Sequence, residues 1–250
     1  MRFRLSILLN VVLVLAAAVY GLSNAFHKES AVPPPVLKQE PPKQPTDHIT
    51  GELEDFTYRY KVDSFAHRPT SLGATVMLGD SLTDLGAWNE FFPSARIVNR
   101  GISGDNTFGV LHRLDQISAL KPRAIFLLVG TNDLFWGSSV EDTADRYRQV
   151  LAKLVSANPK AKIYVQSVFP FHRLPKGDYG YLDNAKAEAL NERIKGMAAE
   201  FNATYLDIWS QLVDENGRMA EGYTTDGIHL NGRGYQVWKS TLTPHVMAQK

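Results

Sequence analysis

Three residues in chain order, Ser81, Asp226 and His229, have the types that nucleophilic acyl transfer requires. A serine hydroxyl is a weak nucleophile until a neighbouring base takes its proton. Imidazole serves as that base because it titrates near working pH. Asp226 precedes His229 by three residues, on one turn, where its carboxylate can orient the ring and stabilise the imidazolium. Attack on an ester creates an oxyanion, which needs preorganised donors. The backbone N–H groups of Ser81 and Gly104 and the side-chain amide of Asn132 are the candidates.

Each residue also has a plainer reading. Ser81 by itself serves equally well as a helix cap. Asp226 and His229 fit a local turn with a solvent-facing histidine, Gly104 fits a turn glycine, and Asn132 fits a cap, where Asp133 serves as well. His112, His172 and His245 read as structural. Asp80, Asp84, Asp133, Asp226 and His229 pooled together make a hard-metal set, but they lack any known ligand spacing. No metal and no cofactor is therefore expected. Neither a Gly-x-Gly-x-x-Gly run nor a phosphate-loop Gly-Lys-Ser/Thr pattern is present.

The elements that must position these groups are legible from residue 69 onward. Apolar runs at 74–78, 95–98, 124–129, 163–168 and 204–208 are short and rich in β-branched residues. Helical patterns lie between and after them at 84–92, 107–120, 140–157, 184–201 and 232–247. Strands alternating with helices predict parallel βαβ units with helices on both faces. Continuous apolar strands fit a parallel sheet buried on both sides. Such a sheet gathers its strand ends on one edge, where ligands bind. Ser81 follows the first run, 99–107 the second, Gly130-Thr131-Asn132-Asp133 the third, and Asp226 to His229 precedes the last helix. A further amphipathic helix over 53–65 is expected to pack outside the sheet.

Four blocks stand in order: Gly79-Asp80-Ser81-Leu82, Gly101-Ile102-Ser103-Gly104-Asp105, Gly130-Thr131-Asn132-Asp133 and Asp226-Gly227-Ile228-His229. Together they resemble the blocks of the GDSL, or SGNH, hydrolases, over roughly residues 70–245, and four ordered blocks are far more specific than one. That family's Ser, Gly, Asn and His fall here on Ser81, Gly104, Asn132 and His229. The longer stretches 99–105 and Gly109-Val110-Leu111-x-Arg113-Leu114-Asp115 resemble the branch of platelet-activating-factor acetylhydrolase-like proteins and bacterial carbohydrate O-acetylesterases. The first and last blocks also occur in periplasmic thioesterase/lysophospholipase enzymes. The resemblance implies an α/β/α sandwich on a five-stranded parallel sheet, flavodoxin-like in order. Ordinary α/β-hydrolases match less well, since Thr83 stands where their Gly-x-Ser-x-Gly elbow has glycine.

The 250 residues are 44% hydrophobic, enough for one core and thin for two. Net charge is +1 with no basic stripe, so no nucleic-acid partner is expected. The absence of cysteine removes disulfides and thiolate chemistry. Arg2 and Arg4 precede an uncharged apolar run over 5–26, which reaches the roughly 20 residues needed to span a bilayer. Residues 1–26 thus read as a membrane anchor, or as a signal peptide cut near Ser23-Asn24-Ala25. Either reading exports the rest. The expected location is the inner membrane, single-pass, with the domain outside the cytoplasm. Residues 27–50 are a proline-rich linker, semi-rigid because proline enforces extended backbone. Residues 51–250 form the hydrolase domain.

Two functions of different class follow. One is a serine esterase removing small acyl groups, chiefly acetyl, from a glycan or small-molecule ester, with a lysophospholipase or thioesterase as its long-chain variant. The other is a non-catalytic cell-envelope binding protein on the same fold. The complete Ser/Gly/Asn/Asp/His set favours the enzyme.

Overall fold

The structure is a computed structural model that describes residue 53 and residues 55–68, 71–172 and 183–248. The expected anchor over 1–26 and linker over 27–50 lie outside the described residues. Among the described residues no helix is long and apolar enough to cross a membrane.

Five strands, β1 (Thr75–Gly79), β2 (Ile97–Gly101), β3 (Ala124–Leu128), β4 (Lys162–Gln166) and β5 (Thr204–Leu206), form one parallel sheet in the order β2-β1-β3-β4-β5. This is the flavodoxin-like order, with its reversal between β1 and β3. Both of those strands are buried at every position, as their largely apolar sequences require. Alternate side chains divide the core in two. Val76, Leu78, Ile125, Leu127, Ile163 and Val165 face one set of helices, α4 (Thr107–His112), α5 (Leu114–Ser118), α7 (Val140–Ala157) and α8 (Asn184–Glu200). Met77, Phe126, Leu128 and Tyr164 face the other, built from Trp88 and Phe92 with Leu212 of α9 (Trp209–Leu212) and with α10 (Gly232–Met247). The result is the three-layer α/β/α sandwich.

The register decides what happens at the carboxyl edge. Gly79 pairs with both Gly101 and Leu128, so β1, β2 and β3 end level and their following residues leave the sheet together. A Cβ on Gly101 would stand 2.2 Å from the backbone nitrogen of Asp84, so only glycine lets the helix after β1 close over the end of β2.

Three expectations are revised. The second run begins at Ile97 and extends to Gly101, because polar Asn99 and Arg100 still pair with β1 on this edge strand. The pattern over 107–120 is two helices, broken at Arg113. The pattern over 84–92 gives two single turns, α2 (Ser81–Asp84) and α3 (Trp88–Phe91), parted at Leu85 to Ala87. The amphipathic amino-terminal helix, α1 (Phe56–Ala66), does pack outside the sheet. Its buried residues are Tyr58 and Phe65, seven apart against Ile102, whereas Phe56 and Tyr60 face solvent.

Candidate active site

Helix α2 is four residues long, far below the roughly 12–15 at which isolated helices become even marginal. Tertiary hydrogen bonds hold it instead. Its carbonyls accept from three surrounding side chains: Tyr235 hydroxyl to Leu82 (2.7 Å), Trp88 indole to Thr83 (2.8 Å), and Asn99 amide to Thr83 and Asp84 (3.0 and 2.9 Å). The capping residue is Asp80, whose Oδ1 accepts from the Leu82 N–H at 3.0 Å. Ser81 is therefore not the cap. Its side chain is left for another partner, and that partner is His229, with Oγ 2.9 Å from Nε2.

The turn that carries His229 is fixed by Asp226. One carboxylate oxygen accepts the backbone N–H groups of Ile228 (2.9 Å) and His229 (2.7 Å), and the other lies 2.6 Å from His229 Nδ1. A three-residue spacing allows this because the same carboxylate closes the turn and meets the ring. Asp226 can only accept, so the network assigns the proton to Nδ1 and leaves Nε2 to accept from Ser81. Partial burial pushes Asp226 up, but the hydrogen bonds from His229 and from the two backbone N–H groups outweigh it and hold it at about 2. The carboxylate is ionised throughout the neutral range. From outside, the His172 N–H donates to the carbonyl of Gly227 at 2.8 Å, tying the segment after β4 to this turn.

Gly104 lies in the turn after β2 with φ at +88°, a conformation that glycine adopts without strain. Asn132 lies in α6 (Thr131–Phe135), whose cap is Gly130 with no side-chain bond. Asn132 thus caps nothing. Its Nδ2 donates to the backbone carbonyl of Asp105 at 2.8 Å, which fixes the amide and leaves a second N–H for another acceptor. Ser81, Ser103, Gly104, Asn132, Asp226 and His229 all line one cleft of about 430 Å³, together with Leu82, Leu85, Thr131, Phe135 and Ile228. That volume falls in the range of small-ligand sites. Trp136 does not line it; its ring packs edge-on against Phe135 at 4.6 Å.

Beneath the cleft lie three buried carboxyl groups, Asp80, Asp105 and Asp133. Asp133 accepts from the Thr107 N–H (2.9 Å), the Thr107 hydroxyl (2.5 Å) and Arg146 (3.2 Å), joining α6 to α4 and α7. Burial nonetheless raises its pKa. Burial also pushes Asp105 up to about 6, against the pull of Arg113. The Arg113–Asp105 pair is 1% and 0% exposed, and breaking such a pair costs about 3–5 kcal/mol. Exposed pairs such as Arg193–Glu141 contribute about 0–1 kcal/mol. Burial pushes Asp80 up to about 7, with repulsion from Asp105 and Asp133 adding to it, and its Oδ2 finds no hydrogen-bond partner among the described residues. Asp84 pairs with Lys61 at 2.6 Å. No group of three or more His, Asp or Glu placed to hold a metal ion occurs among the described residues.

The model of the GDSL-like lipase/acylhydrolase family matches residues 77–237, which span Ser81, Gly104, Asn132, Asp226 and His229. The chain belongs to that family. It is an ester hydrolase. The human platelet-activating factor acetylhydrolase IB subunit alpha1 is 27% identical over 192 residues, covering 74% of this GDSL hydrolase and 78% of the relative. A Streptococcus pneumonia structure described as a candidate platelet activating factor is 26% identical, with a TM-score of 0.68 over 80% of this chain and 95% of its own. A carbohydrate esterase family 3 structure from Talaromyces cellulolyticus shares the fold at 21% identity, with a TM-score of 0.56 over 70% and 97%.

The three histidines of the GDSL hydrolase that read as structural do not line the cleft. His112 is exposed and bonds the carbonyl of Phe108, His172 bonds the carbonyl of Met219, and His245 packs on the Tyr164 ring. Sequence reading passed over Asp105, Thr107, Arg113 and Arg146. The available signal was Arg113 on the side of a helical pattern that also carries Val110, Leu114 and Ile117, all buried.

Proposed function

We propose that the protein is a serine esterase that removes small acyl groups, acetyl foremost, from a carbohydrate outside the cytoplasm. The observation that carries the mechanism is the unbroken relay from Ser81 Oγ to His229 Nε2 (2.9 Å) and from Nδ1 to Asp226 (2.6 Å). Ser81 Oγ attacks the ester carbonyl while its proton passes to Nε2. Negative charge develops on the former carbonyl oxygen, where the N–H groups of Ser81 and Gly104 and the Asn132 amide receive it. Asp226 stabilises the imidazolium without taking its proton. The intermediate collapses, the proton moves from Nε2 to the leaving alcohol, and Ser81 holds the acyl group. Water, activated by the same imidazole, then releases the acid and restores the hydroxyl. The chemistry requires no metal or cofactor.

Acyl size is read from the cleft walls. Its apolar side chains are Leu82, Leu85, Ile228 and the half-buried Phe135, interspersed with Ser103 and Thr131. Each buried CH₂ contributes about 0.8 kcal/mol, so a long-chain site requires an extended aliphatic wall. A ring beside hydroxyl groups suits a sugar face better. Residues 170–181, polar and aromatic in sequence, lie mostly outside the described residues. The name of the human acetylhydrolase supports an acetyl preference. On nitrophenyl esters from two to twelve carbons, kcat/KM is expected to fall as the chain lengthens. A rise toward the long chains would overturn this preference in favour of a lysophospholipase or thioesterase.

The location follows from Arg2, Arg4 and the apolar run over 5–26, which support a single-pass inner-membrane anchor with the domain on the far side. Fractionation is expected to find the full-length chain with membranes. A soluble mature protein beginning near Phe26 would replace the anchor by a cleaved signal peptide.

A further inference from the structure

Arg113 stands at the break between α4 and α5, with its guanidinium under the strand ends rather than in solvent. Nε donates to Asp105 Oδ2 at 2.8 Å, and Nη2 lies 2.6 Å from the same oxygen. Nη1 donates to the carbonyl of Arg100 at 2.9 Å, and Nη2 to that of Gly79 at 3.1 Å. These partners are the segments that deliver the oxyanion donors. Gly79 ends β1 two residues before Ser81. Arg100 lies at the end of β2, ahead of the Gly104 turn. Asp105 follows Gly104, and its carbonyl is the acceptor that fixes the Asn132 amide.

We propose that Arg113 is the positioning residue of the oxyanion hole: one cation that holds the ends of β1 and β2 and the Gly104–Asp105 turn in the spacing at which three separate donors share a focus. The assignment rests on the reading of Ser81, Gly104 and Asn132 as those donors. Arginine suits the task because its planar fork points several N–H groups in fixed directions. Lysine keeps the charge, but its ammonium is a single point with three donors and cannot reach the same acceptors in that fixed geometry. Loss of the fork lets the strand ends drift, and a misplacement of about 1 Å at such a site costs about 10²-fold in rate.

The test uses the folded full-length chain bearing Arg113→Lys. Nitrophenyl acetate kinetics are measured alongside the affinity for a trifluoromethyl ketone that forms an oxyanion adduct on Ser81. The expected result is a kcat lowered about 10²-fold, with KM within about threefold and inhibitor affinity falling in parallel. In an Asn132→Ala background the same change is expected to cost less than about tenfold, because both act on one device. Should Arg113→Lys not fold, Asp105→Asn takes its place under the same criteria, since it weakens the link to the turn and keeps the other bonds. A variant that melts earlier yet retains kcat and inhibitor affinity would reduce Arg113 to a purely structural pairing. Asn132→Ala alone is expected to lower kcat by about 10²–10³-fold. An unchanged kcat there would remove the oxyanion reading and the role of Arg113 with it. A normal loss there with kcat retained in Arg113→Lys would overturn Arg113 alone.

Discussion

Ser81→Ala is expected to lower ester turnover by roughly 10⁶-fold and to abolish labelling by a fluorophosphonate probe. The size of the effect follows from what the hydroxyl does. Without Oγ there is no acyl-enzyme, and His229 has nothing at Nε2 to activate except water. The residual rate over the uncatalysed reaction, about 10³–10⁴-fold, comes from the oxyanion donors and binding alone. Folding is expected to survive, because Asp80, not Ser81, caps α2 and the carbonyls of that turn are held by Tyr235, Trp88 and Asn99. The melting temperature therefore separates loss of chemistry from loss of structure. Labelling that persists at another serine of a folded variant would transfer the nucleophile elsewhere and end this assignment.

Asp226→Asn is expected to cost about 10⁴-fold in kcat, although the side chain is half exposed and the substitution is nearly isosteric. The reason is the direction of one hydrogen bond. The carboxylate accepts from Nδ1, so Nε2 is free to take the serine proton. An asparagine can turn its NH₂ toward the ring and donate to Nδ1. The imidazole proton then sits on Nε2, facing Ser81, where the ring cannot act as a base. The variant also loses the negative charge opposite the imidazolium. Its Oδ1 can still accept the backbone N–H groups of Ile228 and His229, so the turn is expected to persist. Steady-state kinetics with the probe-labelling rate measured in parallel checks the expectation. A loss below about tenfold would show that Asp226 only shapes the turn and that the ring is oriented by something else.

The sequence by itself determined the sheet and the identities at its edge. Continuous apolar runs specify buried parallel strands, because a strand covered by helices on both faces must be largely apolar; Ala124–Leu128 is the clearest case. The four blocks nominate Ser81, Gly104, Asn132, Asp226 and His229, because their residue types suit acyl transfer and they stand in the order of the family's blocks. Asp226 and His229 are three residues apart, and a carboxylate that closes its own turn meets the ring at that distance.

Tertiary structure decided which of two local readings each residue takes. Ser81 and Asn132 are both acceptable caps in sequence terms. Ser81 yields the cap to its neighbour Asp80, but what the two side chains meet instead is long-range: a histidine 148 residues away for Ser81 and a carbonyl 27 residues away for Asn132. The break at Arg113 is likewise invisible to helical periodicity, which reads straight through 107–120. Arg113 sits at it with a buried guanidinium, whose acceptors lie on two strand ends and a turn that only the folded sheet brings level. Local sequence thus names the groups proposed to do chemistry. The buried charges beside them have partners remote in the chain, since a desolvated ion is tolerable only where the completed fold supplies its counter-ion and hydrogen bonds.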